Sequence, residues 1–171
     1  FEFWEKHSTN HALISMNETI KSTIDNKKIG CGVFIDLKKA FDTVNHKLLL
    51  HKLEHYGIRG VALDWFTSYL SNREQYVSVN GQTSDNQVIS CGVPQGSVLG
   101  PLLFLLFIND LPNSSKVLSF FLFADDTNIY FESSNLFNLQ KTMNKHLKFV
   151  KNGSMQINLP WIWRKSILYF F

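Results

Sequence analysis

Two short apolar runs in this sequence end in acid. Phe34-Ile35 is followed by Asp36, and Phe123-Ala124 by Asp125-Asp126. An apolar strand that ends in a carboxylate sets that carboxylate at the rim of a sheet. If the two strands are neighbours, three carboxylates converge. Converging carboxylates repel and raise one another's pKa unless a cation sits among them. Hard oxygen ligands with open positions suit Mg²⁺, which keeps waters and takes substrate phosphates. Two such ions about 3.5–4 Å apart activate a hydroxyl and stabilise the leaving oxygen of an in-line phosphoryl displacement. Asp also ends strands simply because it favours turns, so neither acidic run identifies a site by itself.

The elements that must position these acids follow from periodicity. Ser8 or Thr9 caps a helix with Leu13, Met16, Ile20 and Ile24 on one face. Cys31 to Ile35 is a buried strand that stops at Asp36. Asn45 caps a second helix through Leu49, Leu50 and Leu53, closed by Gly57, and a third carries Ala62, Trp65, Phe66 and Tyr69. The period then changes to two, and Asn80-Gly81 predicts a hairpin between Gln75–Val79 and Gln82–Ser90. The loop from Gly92 to Gly96 leads into an apolar helix whose Pro101 is tolerable only in the first turn. Val117–Ala124 and Thr127–Phe131 are strands. A last helix over Asn135–Val150 carries Leu136, Leu139, Met143, Leu147 and Val150 on one stripe.

Composition bounds the rest. The 171 residues are 44% apolar and 18% charged, enough for a packed core and too little charge for a disordered chain. Net charge is +3, mild for a nucleic-acid module. Cys31 and Cys91 make no disulfide scaffold; they are read as small core residues in a reducing compartment. The longest apolar run, Val98–Ile108, is interrupted by Gly100-Pro101 and is shorter than a spanning helix of about 20 residues. No signal peptide is visible, so the expected setting is intracellular, in nucleus or cytoplasm, without a membrane. The chain starts at Phe1 rather than Met, as a fragment would.

Other spacings compete for attention. His51, Glu54 and His55 match an inverted zinc-protease pattern, H-x-x-E-H, which makes a zinc hydrolase a distant alternative. Five residues with three fixed are a weak signal, and a solvated helix face explains them better. His7 and His11 belong to a capped helix start.

Phe34-Ile35-Asp36-Leu37-Lys38-Lys39-Ala40-Phe41-Asp42, then Gly92-Val93-Pro94-Gln95-Gly96-Ser97-Val98-Leu99-Gly100-Pro101, then Phe123-Ala124-Asp125-Asp126-Thr127 resembles, in order, motifs A, B and C of the reverse transcriptase domain of non-LTR (LINE-type) retrotransposons. The likeness is closest to the jockey-like group. Ser68-Tyr69-Leu70-Ser71-Asn72-Arg73 and Asn109-Asp110-Leu111-Pro112 also resemble this family. The resemblance implies an α/β (α+β) fold, a polymerase palm with an antiparallel sheet backed by helices and part of the fingers. On it, residues 1–159 form a partial reverse transcriptase domain and 160–171 a divergent or out-of-frame tail, with Lys165 a candidate for a displaced family lysine. Glu2 and Trp4 depart from the family pattern.

The resemblance further implies catalytic Asp36, Asp125 and Asp126. The metal ligands would be Asp36, Asp125, Asp126 and the backbone carbonyl of Leu37, holding two Mg²⁺ ions, with Mn²⁺ as the other candidate. Phe41 would close the sugar pocket against a 2′-hydroxyl, Gln95 would lie over the incoming nucleotide, and Gly96 would let backbone approach it. RNA template, DNA primer and dNTPs are the implied partners, and Lys38, Lys39 and Arg73 are candidate phosphate contacts. The alternative is an inactive relic or interaction module that keeps the palm shape without fingers and thumb.

Overall fold

The computed structural model describes the backbone of residues 9–37, 39–156 and 161–170, and the side chains of residues 10–37 and 39–152. Expectations for Glu2, Trp4, His7, Ser8, Lys38 and Pro160, and for the Lys165 side chain, lie outside the described residues. In chain order the elements are α1 (Thr9–Asp25), β1 (Ile29–Leu37), α2 (His46–His55), α3 (Val61–Leu70), β2 (Glu74–Gln75), β3 (Ser78–Val79), β4 (Gln82–Thr83), β5 (Gln87–Val88), α4 (Leu99–Ile108), β6 (Ser119–Phe123), β7 (Asp126–Ser133), α5 (Leu136–Gln156) and β8 (Trp161–Phe170). Short 3-10 turns cover Ala40–Thr43 and Leu111–Ser114. The chain divides into two compact units, one of residues 1–40 with 108–171, the other of residues 41–107.

The first unit is built on a four-stranded sheet ordered β6-β7-β1-β8, antiparallel throughout. Both inner strands run two residues past their expected C-terminal ends, to Leu37 and Ser133, because each is flanked by partners on both sides. β6 starts at Ser119 instead of Val117. The Ser115 hydroxyl accepts from the backbone N–H of Val117 and Leu118, which withdraws those groups from the ladder. Alternation along β7 sends Asp126, Asn128 and Tyr130 to one face and Thr127, Ile129 and Phe131 to the other.

Helix α1 lies against β1 and β6 with its inward face turned from the expected stripe. Leu13 and Ile24 are exposed, whereas Thr23 is wholly buried. The reason is polar: Tyr130 donates to the Thr23 hydroxyl at 2.7 Å, and that hydroxyl donates to Glu132 at 2.6 Å. Lys28 completes the group, its Nζ 2.7 Å from Glu132. A Cβ at Gly30 would stand 2.0 Å from the Tyr130 hydroxyl, so only glycine admits this ring. Helix α5 packs on β7 and β1 through its expected stripe, burying Leu139, Met143 and Val150. Its start is capped by Asn135, whose Oδ1 accepts from the N–H of Phe137 and Asn138.

The second unit joins three helices and a ribbon. Asn45 caps α2 by accepting from Leu48 N at 3.0 Å, as expected. Its core gathers Val44, Leu49, Leu53, Leu70, Leu103, Phe104 and Phe107. Lys52 is buried, donates to the Phe107 carbonyl near the end of α4 and lies 5.0 Å from the Phe107 ring centre, a cation at a helix C-terminus. The hairpin forms at Asn80-Gly81, both at positive φ. It is cut into β3–β4 and β2–β5 rungs because the Ser84 hydroxyl takes the Val77 N–H. No helix among the described residues is long and apolar enough to cross a membrane.

Candidate active site

The carboxylates come from two adjacent strands of the first unit. Ile35 pairs with Thr127 across β1 and β7, so the next position sets Asp36 opposite Asp126. Phe123 pairs with Asp126 across β6 and β7, which leaves Ala124-Asp125 as a two-residue turn. Ala124 adopts φ 50°, a conformation that disfavours a residue with a Cβ. The acid pair is therefore displayed by a strained turn, a feature concentrated at functional sites. On its other edge β1 pairs with β8. The register shifts there between Phe34 and Asp36, with Ser166 opposite Phe34 and Ile162 opposite Asp36. Asp36 thus lies within the strand at a bulge rather than beyond its end, exposed between buried Ile35 and Leu37.

Electrostatics couple the three. Asp126 is pushed above the ordinary aspartate range by desolvation at the rim, then by the negative charges of Asp125 and Asp36. Among the described residues, every cause that acts on Asp126 raises its pKa. A rim of like charges invites a cation.

Among the described residues, no group of three or more His, Cys, Asp or Glu side chains is gathered tightly enough to cage a metal ion. Asp36, Asp125 and Asp126 are all described, so register and charge bring them near one another in this structure without gathering them into a metal-holding group.

Phe41, Gln95 and Gly96 belong to the second unit. There the loop of residues 91–97 is laced to the segment 41–46. Val93 N donates to Phe41 O and Gly92 N to Val44 O, both at 2.8 Å, and Asn45 bridges Cys91. His46 Nε2 adds a contact to Gly92 O at 2.6 Å. Gly92 sits at φ +92°, and a Cβ there would meet Asp42 backbone atoms at 2.9–3.2 Å, so the lacing requires glycine. Phe41 is half-buried with its ring 4.7 Å from that of Phe104. Gln95 and Gly96 are exposed.

The sequence reading missed Asp42, whose Oδ1 accepts from Gln95 Nε2 at 2.7 Å. An ionised carboxylate only accepts, so the amide must turn its NH₂ toward Asp42 and its oxygen outward. Proximity of Asp42 to Phe41 in the first motif was the one available signal. Cys91 also departs from expectation, being exposed, whereas Cys31 is buried. His51, Glu54 and His55 are all exposed on α2.

The sequence profile described as "Reverse transcriptase (RNA-dependent DNA polymerase)" matches residues 2–160. The chain is 31% identical over 169 residues to the RNA-directed DNA polymerase from mobile element jockey of Drosophila melanogaster, covering 92% of this chain and 18% of that protein. It is 38% identical over 118 residues to the probable RNA-directed DNA polymerase from transposon BS of the same organism, covering 66% and 12%. The chain thus spans less than a fifth of the length of these relatives. Among solved structures, apo telomerase from Candida tropicalis superposes with a TM-score of 0.66 at 15% identity, covering 96% of this chain and 36% of that one. Candida albicans telomerase, in complex with a fragment of telomeric RNA, gives 0.66 at 13% identity, covering 95% and 31%. These likenesses speak to fold, and the fold is the palm type expected. With two strands converging on an acidic rim and a family profile running nearly end to end, the chain belongs to the reverse transcriptase family, on the LINE-type, jockey-like side.

Proposed function

We propose that this chain is the palm portion of an RNA-directed DNA polymerase of a retrotransposon. The observation that supports the reading most is the family profile over residues 2–160, with its acidic motifs falling on adjacent strands where Asp36 comes opposite Asp126. Reverse transcriptases use divalent metals, and the finer assignment is two Mg²⁺ ions, with Mn²⁺ able to substitute, at Asp36, Asp125, Asp126 and the Leu37 carbonyl. When bound, such ions supply charge neutralisation at the transferring phosphoryl group. The chain's own contribution is placement: Asp36 and Asp126 stand on strands with ladders on both sides and Asp125 on the tight turn between β6 and β7, so little reorganisation accompanies reaction.

In the proposed reaction a primer 3′-hydroxyl attacks the α-phosphate of a dNTP and pyrophosphate leaves. Positioning and electrostatics do most of the work. Phe41 is assigned to exclude a 2′-hydroxyl, Gln95 to contact the incoming nucleotide and Gly96 to allow close backbone approach. The template is RNA, held mainly through backbone and shape. We assign the work to nucleus or cytoplasm, where RNA template and dNTPs coexist. Within the sequence, residues 1–159 are assigned to the reverse transcriptase domain proper.

The test is primer extension with Mg²⁺ on a primed RNA template, using a longer polypeptide of the element that supplies the neighbouring segments. Asp125→Asn should lower extension by about 10³-fold or more. Extension that survives the substitution removes the assignment of the site. A wild-type polypeptide that binds template and primer yet never extends would mark an inactive relic.

A further inference from the structure

The charge of this chain is unevenly placed. It carries 17 Lys and Arg against 14 Asp and Glu, a net of +3. Helix α5 holds four lysines and no acidic residue. Taking those four away leaves 13 cations against 14 acids, so the rest of the chain is net negative and the excess positive charge resides on this one helix. Lys141, Lys145, Lys148 and Lys151 follow one another at intervals of four, three and three, which puts them in a single stripe. All four are exposed. The buried residues Leu139, Met143 and Val150 occupy the opposite side of the helix. The stripe is about 15 Å long at 1.5 Å per residue. One turn before it, at Phe137, a ring stands 69% exposed on the same face.

A helix face that meets only water ordinarily mixes signs, since opposite charges at these spacings gain a few tenths of a kcal/mol and like charges lose as much. This face keeps three consecutive like-charge spacings. We propose that the outer face of α5 is a second nucleic-acid contact, which takes single-stranded RNA or DNA with its phosphates along the lysines and a base against Phe137. The lysines supply a sequence-independent phosphate track. An exposed ring reaches only a base that is free to stack, which selects a single strand over a duplex. Two exposed rings along a lysine stripe, Phe137 and Phe149, are too little apolar surface to lie in a lipid interface.

The strip is separate from the acidic rim. Asp126 shares its strand face with Tyr130, the face that Thr23 of α1 covers. Ile129 and Val33 are buried on the other face, where α5 packs against β7 and β1. A strand on the α5 stripe is therefore held behind the sheet, away from the reacting primer end.

The experiment is fluorescence anisotropy of a labelled oligouridylate with the 171-residue chain across a salt series, without dNTP or divalent cation. Changing Lys141, Lys145 and Lys148 to Gln should weaken binding about fivefold or more near physiological salt and reduce the slope of log K against log salt by about 2. Phe137→Ser should weaken binding several-fold and leave the slope unchanged. Circular dichroism of the Gln variant should give unchanged helix content and a midpoint no lower than that of the parent chain. Unaltered affinity and slope in the Gln variant would overturn the proposal. So would tight binding to phosphatidylserine vesicles that oligouridylate does not compete away. Because no turnover is read, failure here is distinct from failure of the polymerase assignment.

Discussion

The two ends of β7 hold acids in opposite electrostatic states. At one end, hydrogen bonds from Lys28 and then from Thr23 hold the Glu132 carboxyl below the usual glutamate range. At the other, desolvation followed by Asp125 and Asp36 pushes Asp126 above the usual aspartate range. The strand and its neighbour are the same; the company differs. The Glu132 end is internally satisfied and ties α1 to the sheet. At the Asp126 end the described neighbours that act on the carboxyl are themselves acidic. One strand thus carries both states, a few residues apart.

The comparison breaks most severely at Gly30. Gly30→Ala forces a Cβ into the Tyr130 hydroxyl 2.0 Å away. It should cost about 1–3 kcal/mol, read as a lower midpoint in urea unfolding, and Tyr130→Phe in the same chain should restore part of the loss. A smaller effect is expected at Glu132. Its pair with Lys28 is partly exposed and worth little, and the buried Thr23 hydroxyl, also within reach of Thr19 O, exchanges a charged acceptor for a neutral amide oxygen. Glu132→Gln should cost about 1 kcal/mol at neutral pH. Because its folded pKa is lowered, the carboxylate's contribution is present above the unfolded glutamate pKa and fades as pH falls through the folded value. The difference between parent and variant should therefore shrink in acid.

The smallest change carries the opposite sign. Asp126→Asn should raise the thermal midpoint by less than about 2 °C at neutral pH. Its folded pKa is raised, so the ionised group is a burden above that value, relieved as pH falls toward the ordinary aspartate range. A stabilisation that shrinks on acidification is expected; a destabilisation at neutral pH would show that Asp126 is held like Glu132.

Much of this was legible in the residues. Asn45 declared itself as the cap of α2, and Asn80-Gly81 as a hairpin turn, because caps and turns are decided by the nearest few backbone groups. The stripe Leu139, Met143 and Val150 announced the buried face of α5. Helix α1 was misjudged for an equally physical reason. Apolar periodicity favoured Leu13 and Ile24, but a chain of hydrogen bonds from β7 captured Thr23 and rotated the helix toward it. Asp42 escaped notice because its partner, Gln95, is 53 residues away.

The order of the acidic motifs, the glycine-rich loop between them and the helix and strand types around them belong to the sequence alone, since each depends on local pattern and on matching residue types. Which acid is stressed and which is satisfied does not. Asp126 and Glu132 sit six residues apart on one strand. Asp125 is already the chain neighbour of the first, but only the folding of β1 and α1 against the strand brings Asp36 to it and a lysine and a threonine to the second. Charge interactions fall off over a few ångströms, and no pattern in the chain records a distance that the fold has yet to create.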